Sequence, residues 1–122
     1  CNLYFISPIS ESILSKVLSF PYLSPQLLQG RKNVQPEDEI YAFGILMWEI
    51  LNRKTAYEEE ERIDSNVIKG TKRPPIPDVI DSSIEAKCYE IMKLCWSGDE
   101  QLRPTAKHLV FQLCKKVKQN IQ

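Results

Sequence analysis

The run Ile40-Tyr41-Ala42-Phe43-Gly44-Ile45-Leu46-Met47-Trp48-Glu49-Ile50-Leu51 constrains this chain more than any other segment. It carries one charge, Glu49, and puts apolar side chains on every side of any helix it forms. A helix that is apolar all round must be buried all round. The run is too short to span a membrane, which takes roughly 20 apolar residues. A chain of 122 residues fits one domain and has few elements with which to surround such a helix. The expectation is a domain built around one central helix, with part of that helix's cover absent from the chain.

The flanks set the ends of this helix at Pro36 and Asn52. Glu37, Asp38 and Glu39 place negative charge at the positive end of the helix dipole, and Arg53 and Lys54 place positive charge at the other. Elsewhere the pattern is also helical. Ser10 caps a short helix with Ile13, Leu14, Val17 and Leu18 on its apolar face, ended by Pro21. Ser24-Pro25-Gln26-Leu27-Leu28-Gln29 reads as a capped turn, with Ser24 at the N-cap, Pro25 at the first position and Gly30 as the stop. Ile63, Val67 and Ile68 mark a short helix stopping at Gly70. Arg73-Pro74-Pro75-Ile76-Pro77 must be extended, because proline excludes helix and restricts its predecessor. Ser82 or Ser83 caps a further helix whose buried stripe is Ile84, Cys88, Ile91, Met92 and Cys95. The last helix starts at or near Thr105, with Ala106, Leu109, Val110, Leu113 and Val117 as its stripe. Only residues 3–6 read as a β candidate, so the fold class is all-α.

Composition removes several functions. Formal net charge is zero, which leaves no global attraction to nucleic acid or an anionic membrane. The acidic block Glu58 to Glu61 and the basic residues Lys107, Lys115, Lys116 and Lys118 read as solvated surface, with a partner-binding patch as the alternative. Cys1, Cys88, Cys95 and Cys114 form no close pair, so neither a zinc site nor a redox motif is supported. His108 has no ligand partner at metal spacing on its face. Dispersed thiols and no visible signal peptide point to a reducing compartment, the cytoplasm. A start at Cys1 reads as a fragment, a processed product or a trimmed chain.

Three clusters lie in order along the sequence: Tyr22-Leu23-Ser24-Pro25-Gln26, then Glu39-Ile40-Tyr41-Ala42-Phe43-Gly44 through Trp48-Glu49, then Leu94-Cys95-Trp96 followed by Arg103-Pro104-Thr105. Together they resemble the C-terminal lobe of a protein kinase of the tyrosine-kinase-like group. In that family the corresponding patterns are Tyr-x-Ala-Pro-Glu, Asp-x-Tyr-Ser-Phe-Gly, and Cys-Trp before Arg-Pro-Thr. Phe43 to Trp48, Asn52-Arg53-Lys54 and Met92 to Trp96 look most similar to the receptor-interacting protein kinases and the mixed lineage kinase domain-like pseudokinase. The resemblance implies a partial lobe over residues 22–117, an activation-segment-like region over 1–21 and a tail over 118–122. It implies structural roles for Tyr22, Pro25, Gln26, Glu39, Gly44, Trp48, Trp96, Arg103 and Pro104. Ser7, Ser10, Ser12, Ser15 and Ser19 become possible activation-segment phosphoacceptors, each of which phosphate would give roughly −2 charge.

Two departures stand out. The family pairs the Glu of Ala-Pro-Glu with the Arg of Arg-Pro; this chain has Gln26 opposite Arg103. A neutral amide can accept a hydrogen bond but cannot neutralise a buried charge, so Arg103 is either partly solvated or served by another carboxylate. The Asp that opens the family's central helix is Glu39 here. The named pseudokinase looks similar at both positions. The parts that transfer phosphate are absent: no glycine-rich loop, no His-Arg-Asp and no Asp-Phe-Gly. The chain as given therefore implies no catalytic residue, no metal site and no cofactor of its own, with ATP and magnesium belonging to an intact active parent. Its expected partners are proteins or the rest of a kinase domain. The rival is a pseudokinase that acts as a binding or switching module in cell-death or inflammatory signalling.

Overall fold

The computed structural model describes residues 20–58 and 65–121, with side chains described as far as 115. The elements are α1 (Pro25–Leu28), α2 (Pro36–Asn52), α3 (Ser65–Ile68), α4 (Ser83–Cys95) and α5 (Ala106–Ile121). Two 3-10 turns, Phe20–Tyr22 and Glu100–Leu102, join them, and no strand occurs among the described residues. The expected β segment at 3–6, the helix capped by Ser10 and the serines Ser7, Ser10, Ser12, Ser15 and Ser19 lie outside the described residues.

α2 is the central element, and it starts and stops for local reasons. Pro36 occupies its first turn, where its missing N–H costs nothing. Asp38 reaches back so that its Oδ2 accepts from the Gln35 N–H at 2.8 Å. At the far end Arg53 takes a left-handed conformation (φ 52°) and its N–H donates to the Glu49 carbonyl. Ile45 and Tyr41 are fully buried, and Trp48 nearly so.

α2 packs on α4, and Gly44 permits the close approach. A Cβ at position 44 would lie 2.9 Å from Cys95 Cβ and 3.2 Å from the Trp96 nitrogen. Around this crossing Tyr41, Ile45, Met47, Trp48, Tyr89, Met92 and Trp96 form the main core. Ile40, Cys95 and Leu109 form a second cluster that brings in α5. Burial pushes the Cys95 thiol up to about 12, so it acts here as a small apolar group. The extended segment after Gly70 is fastened to α2 by Trp48, whose Nε1 donates to the Pro75 carbonyl at 2.7 Å.

The lone charge of the apolar run is satisfied. Glu49 is half-buried, accepting from the Tyr22 hydroxyl through Oε1 and from the Ala56 N–H through Oε2 at 2.8 Å. One face of α2 stays open all the same: Leu46 is 44% exposed and Ile50 67% exposed. Glu39 is exposed as well. Spacings of seven and four put these three positions along one side of the helix.

Two expected stripes need correction. In α4 the buried residues are Tyr89, Met92 and Cys95, with Cys88 and Ile91 half-buried, whereas Ile84 is 45% exposed. Ile84 sits in the first turn of this helix, outside the main core cluster. Tyr89 is held by its hydroxyl, which accepts from Asn52 Nδ2 at 3.1 Å. Among the described side chains of α5 only Leu109 is buried; Leu113 is half-buried, while Ala106 and Val110 are exposed. Val117's side chain lies outside the described residues. Thr105 caps this helix, its hydroxyl accepting from the His108 N–H at 3.1 Å.

Candidate functional site

The three sequence clusters meet in space around Arg103. Its guanidinium is buried, 6% exposed. Nε donates to the Ser97 carbonyl at 2.9 Å, one Nη to the Glu37 carbonyl at 3.1 Å and the other to Gln26 Oε1 at 2.7 Å. Gln26 comes from α1, Glu37 from the first turn of α2, and Ser97 from the loop after α4. One side chain thus ties three separate segments together, with the planar donor fork that only arginine offers.

The loop after α4 is held at three successive carbonyls. Arg73 Nε donates to Trp96 O at 2.8 Å, Arg103 Nε to Ser97 O, and Gln26 Nε2 to Gly98 O at 2.8 Å. Gly70 and Gly98 touch backbone to backbone in the same place; a Cβ on Gly98 would come within 3.0 Å of the Gly70 carbonyl. The guanidiniums of Arg73 and Arg103 stand 5.0 and 5.2 Å from the centroid of the fully buried Tyr41 ring, within cation–π range. Burial raises the Tyr41 phenol above its usual range, against the pull of Arg73 and Arg103.

Asp38 supplies the carboxylate of this site. It is buried, accepts from the Ser24 hydroxyl, pairs with Arg31, and stands 4.0 Å from Arg103. Arg31 also bonds Glu100 at 2.6 Å. The hydrogen bond to Glu100 is the largest influence holding the Arg31 guanidinium above its usual pKa, with Asp38 adding to it. Burial pulls Arg103 down, and the charge of Asp38 is the main opposing influence.

Of the residues singled out from the sequence, Gln26 and Arg103 are directly bonded, Pro25 is buried against Gly70, and Trp48 and Trp96 share the main core. Tyr22 lies apart, on Glu49. Glu39 faces outward from the site, and Pro104, next to Arg103 in sequence, is half-buried. The sequence reading missed Asp38, Arg31 and Arg73. Asp38 was legible only as a dipole charge, although its place three residues after Gln35 fits the spacing of a reciprocal helix cap.

Residues 10–113 match the model of the protein tyrosine and serine/threonine kinase family. The chain belongs to that family. It is similar to the probable inactive serine/threonine-protein kinase roco10 of Dictyostelium discoideum, 36% identical over 93 residues, which is 75% of this chain and 3% of that protein. It is similar to the tyrosine-protein kinase receptor TYRO3 of Danio rerio, 39% identical over 80 residues, 63% of this chain and 9% of the receptor. A probable LIM domain-containing serine/threonine-protein kinase of Dictyostelium discoideum is 34% identical over 102 residues, 82% of this chain and 15% of that protein. This kinase-family chain therefore spans a small part of the relatives it matches. Among its described residues, no helix is long and apolar enough to cross a membrane.

Proposed function

We propose that residues 22–117 are part of the helical C-terminal lobe of a protein kinase domain, with residues 1–21 in the place of an activation segment and 118–122 as a tail. Phosphoryl transfer from ATP and magnesium to Ser, Thr or Tyr of a protein then belongs to a longer parent. The observation that carries the reading is the open side of α2: a helix otherwise buried at Tyr41, Ile45 and Trp48 leaves Leu46 and Ile50 uncovered. The parent's catalytic loop and neighbouring helix would cover that side, with Glu39 at its head. The roles of Tyr22, Pro25, Gln26, Gly44, Trp48, Trp96, Arg103 and Pro104 as family positions, and of the five serines as phosphoacceptors, form part of this reading. So does a reducing, cytoplasmic setting, which suits the free thiols Cys88, Cys95 and Cys114.

Two measurements on the chain test it. Thermal unfolding with magnesium and ATP gives no shift; a clear stabilisation overturns the reading, because it requires a nucleotide site. Sedimentation shows self-association that Ile50→Lys reduces; a well-behaved wild-type monomer means α2 needs no further cover.

A second reading is a pseudokinase used as a binding or switching module in cell-death or inflammatory signalling, near the receptor-interacting and mixed lineage kinase domain-like group. Gln26 and Glu39 favour it, as does the similarity to a relative named inactive. The parent sequence upstream separates the two: an intact His-Arg-Asp with Asp-Phe-Gly supports the enzyme, and their loss supports the module.

A further inference from the structure

Among the described residues, every hydrogen-bond acceptor that Arg103 reaches is neutral: the carbonyls of Ser97 and Glu37 and the side-chain oxygen of Gln26. Neutral acceptors satisfy the guanidinium's N–H groups but leave its charge uncompensated, and an uncompensated buried charge is strongly destabilising. A second cation worsens the problem, because Arg73 shares the Tyr41 ring with Arg103.

Among the described residues the nearest carboxylate to Arg103 is Asp38, 4.0 Å away, with both side chains almost wholly buried. Asp38 is fixed in place from three directions. The Ser24 hydroxyl and Arg31 approach its Oδ1, and the Gln35 N–H approaches its Oδ2. Glu100, which Arg31 also engages, lies beyond salt-bridge distance of Arg103 and adds a smaller attraction.

We propose that Asp38 is the counter-charge of Arg103 in this chain, and that position 26 holds an amide because it must donate as well as accept. Gln26 accepts from Arg103 at 2.7 Å and donates to the Gly98 carbonyl at 2.8 Å. A carboxylate at 26 would keep the first bond and turn the second into a repulsion between two oxygens. It would also place a second negative charge near Asp38. The charge and the loop tether, which one glutamate cannot both supply, are divided between Asp38 on α2 and Gln26 on α1. Asp38 is thereby a positioning residue: it holds Arg103, and through it the loop after α4, against α1.

The test is a charge relocation followed by thermal unfolding of the full chain. In the wild-type background, Gln26→Glu lowers the midpoint. Asp38→Asn lowers it further. In the Asp38→Asn background, Gln26→Glu raises it, because the new carboxylate now meets a guanidinium that lacks one. This reversal of sign is what a merely structural role for Asp38, as a helix cap, would not produce. If Asp38→Asn fails to fold alone, folding of the double variant supports the proposal, and failure of both overturns it. Stabilisation by Gln26→Glu in the wild-type background, or further loss in the Asp38→Asn background, also overturns it.

Discussion

Ser24 donates its hydroxyl to Asp38 at 2.5 Å, across fourteen positions of chain, while the same oxygen accepts from the Leu27 N–H at 3.2 Å. One buried serine thus caps α1 and anchors it to the start of α2. The two bonds differ in kind. The cap is an ordinary N-cap worth about 1 kcal/mol. The bond to Asp38 has an ionised acceptor and is worth roughly 1.5–3 kcal/mol.

Ser24→Ala is therefore expected to cost about 3 kcal/mol in denaturant unfolding. Ser82 provides the control. It caps α4 by accepting from the Glu85 N–H at 3.4 Å and donates to no carboxylate among the described residues. Ser82→Ala should cost about 1 kcal/mol or less. Equal losses at the two sites would mean that the bond from Ser24 to Asp38 adds nothing.

Arg103→Lys keeps the charge near Asp38 but gives up the planar fork. An ammonium can serve one of the three acceptors well and leaves others stranded in a buried site. The expected loss is about 3 kcal/mol, from two hydrogen bonds and the desolvated carbonyls left behind. Hydrogen exchange should also show faster opening of the loop 96–98, which loses its central tether. Unchanged protection there would place the work of the tether on Arg73 and Gln26 alone.

The central helix was fully legible in the sequence, because an uninterrupted apolar run bounded by Pro36 and a basic pair leaves little choice. Local signals were also sufficient for the Ser24 cap and for the stops at Gly30 and Gly70, and they narrowed the α4 cap to Ser82 or Ser83, of which the structure uses Ser82. What periodicity does not encode is which apolar face meets a neighbour. Val110 fits the stripe of α5 yet is 62% exposed, while Tyr89, left out of the α4 stripe, is buried and hydrogen-bonded. The site was half legible. Gln26 opposite Arg103 raised the question of a missing carboxylate, but Asp38 belongs to a triplet of acidic residues in one helical turn. Only the turn of the helix decides that Asp38 points inward and Glu39 outward.

Gly44 gives a packing prediction. A methyl group there would meet Cys95 Cβ at 2.9 Å and the backbone nitrogen of Trp96 at 3.2 Å. Neither is the free end of a flexible chain, so α2 and α4 must separate. Alanine is the better helix former by roughly 1 kcal/mol, yet Gly44→Ala should destabilise by about 1–3 kcal/mol through overpacking. Calorimetry checks the sign: a rise in stability would mean the crossing is looser than these distances imply.

Tyr22 makes the chain's stability depend on alkaline pH. Burial pushes its phenol from 10.0 to about 12, reinforced by the hydrogen bond to Glu49 and by that residue's charge. In the unfolded chain the phenol ionises near 10.0, while the folded chain keeps it neutral up to about 12. A raised folded value means that the stabilisation is complete below the unfolded pKa and is lost as pH rises through the folded one. Tyr22→Phe removes the hydrogen bond and should cost about 1 kcal/mol at neutral pH, somewhat more if the ionised acceptor dominates. The decisive quantity is the gap between wild type and variant. From neutral pH to 10 it should stay constant, and it should shrink between pH 10 and 12, because only the wild type has a Tyr22 proton to lose. Tyr41 shifts in the same direction through burial but is common to both proteins, so it cancels in the difference. Urea midpoints of the pair, measured at intervals across that window, read the gap directly. A gap that stays flat through pH 12 would mean that the folded phenol ionises no later than the unfolded one.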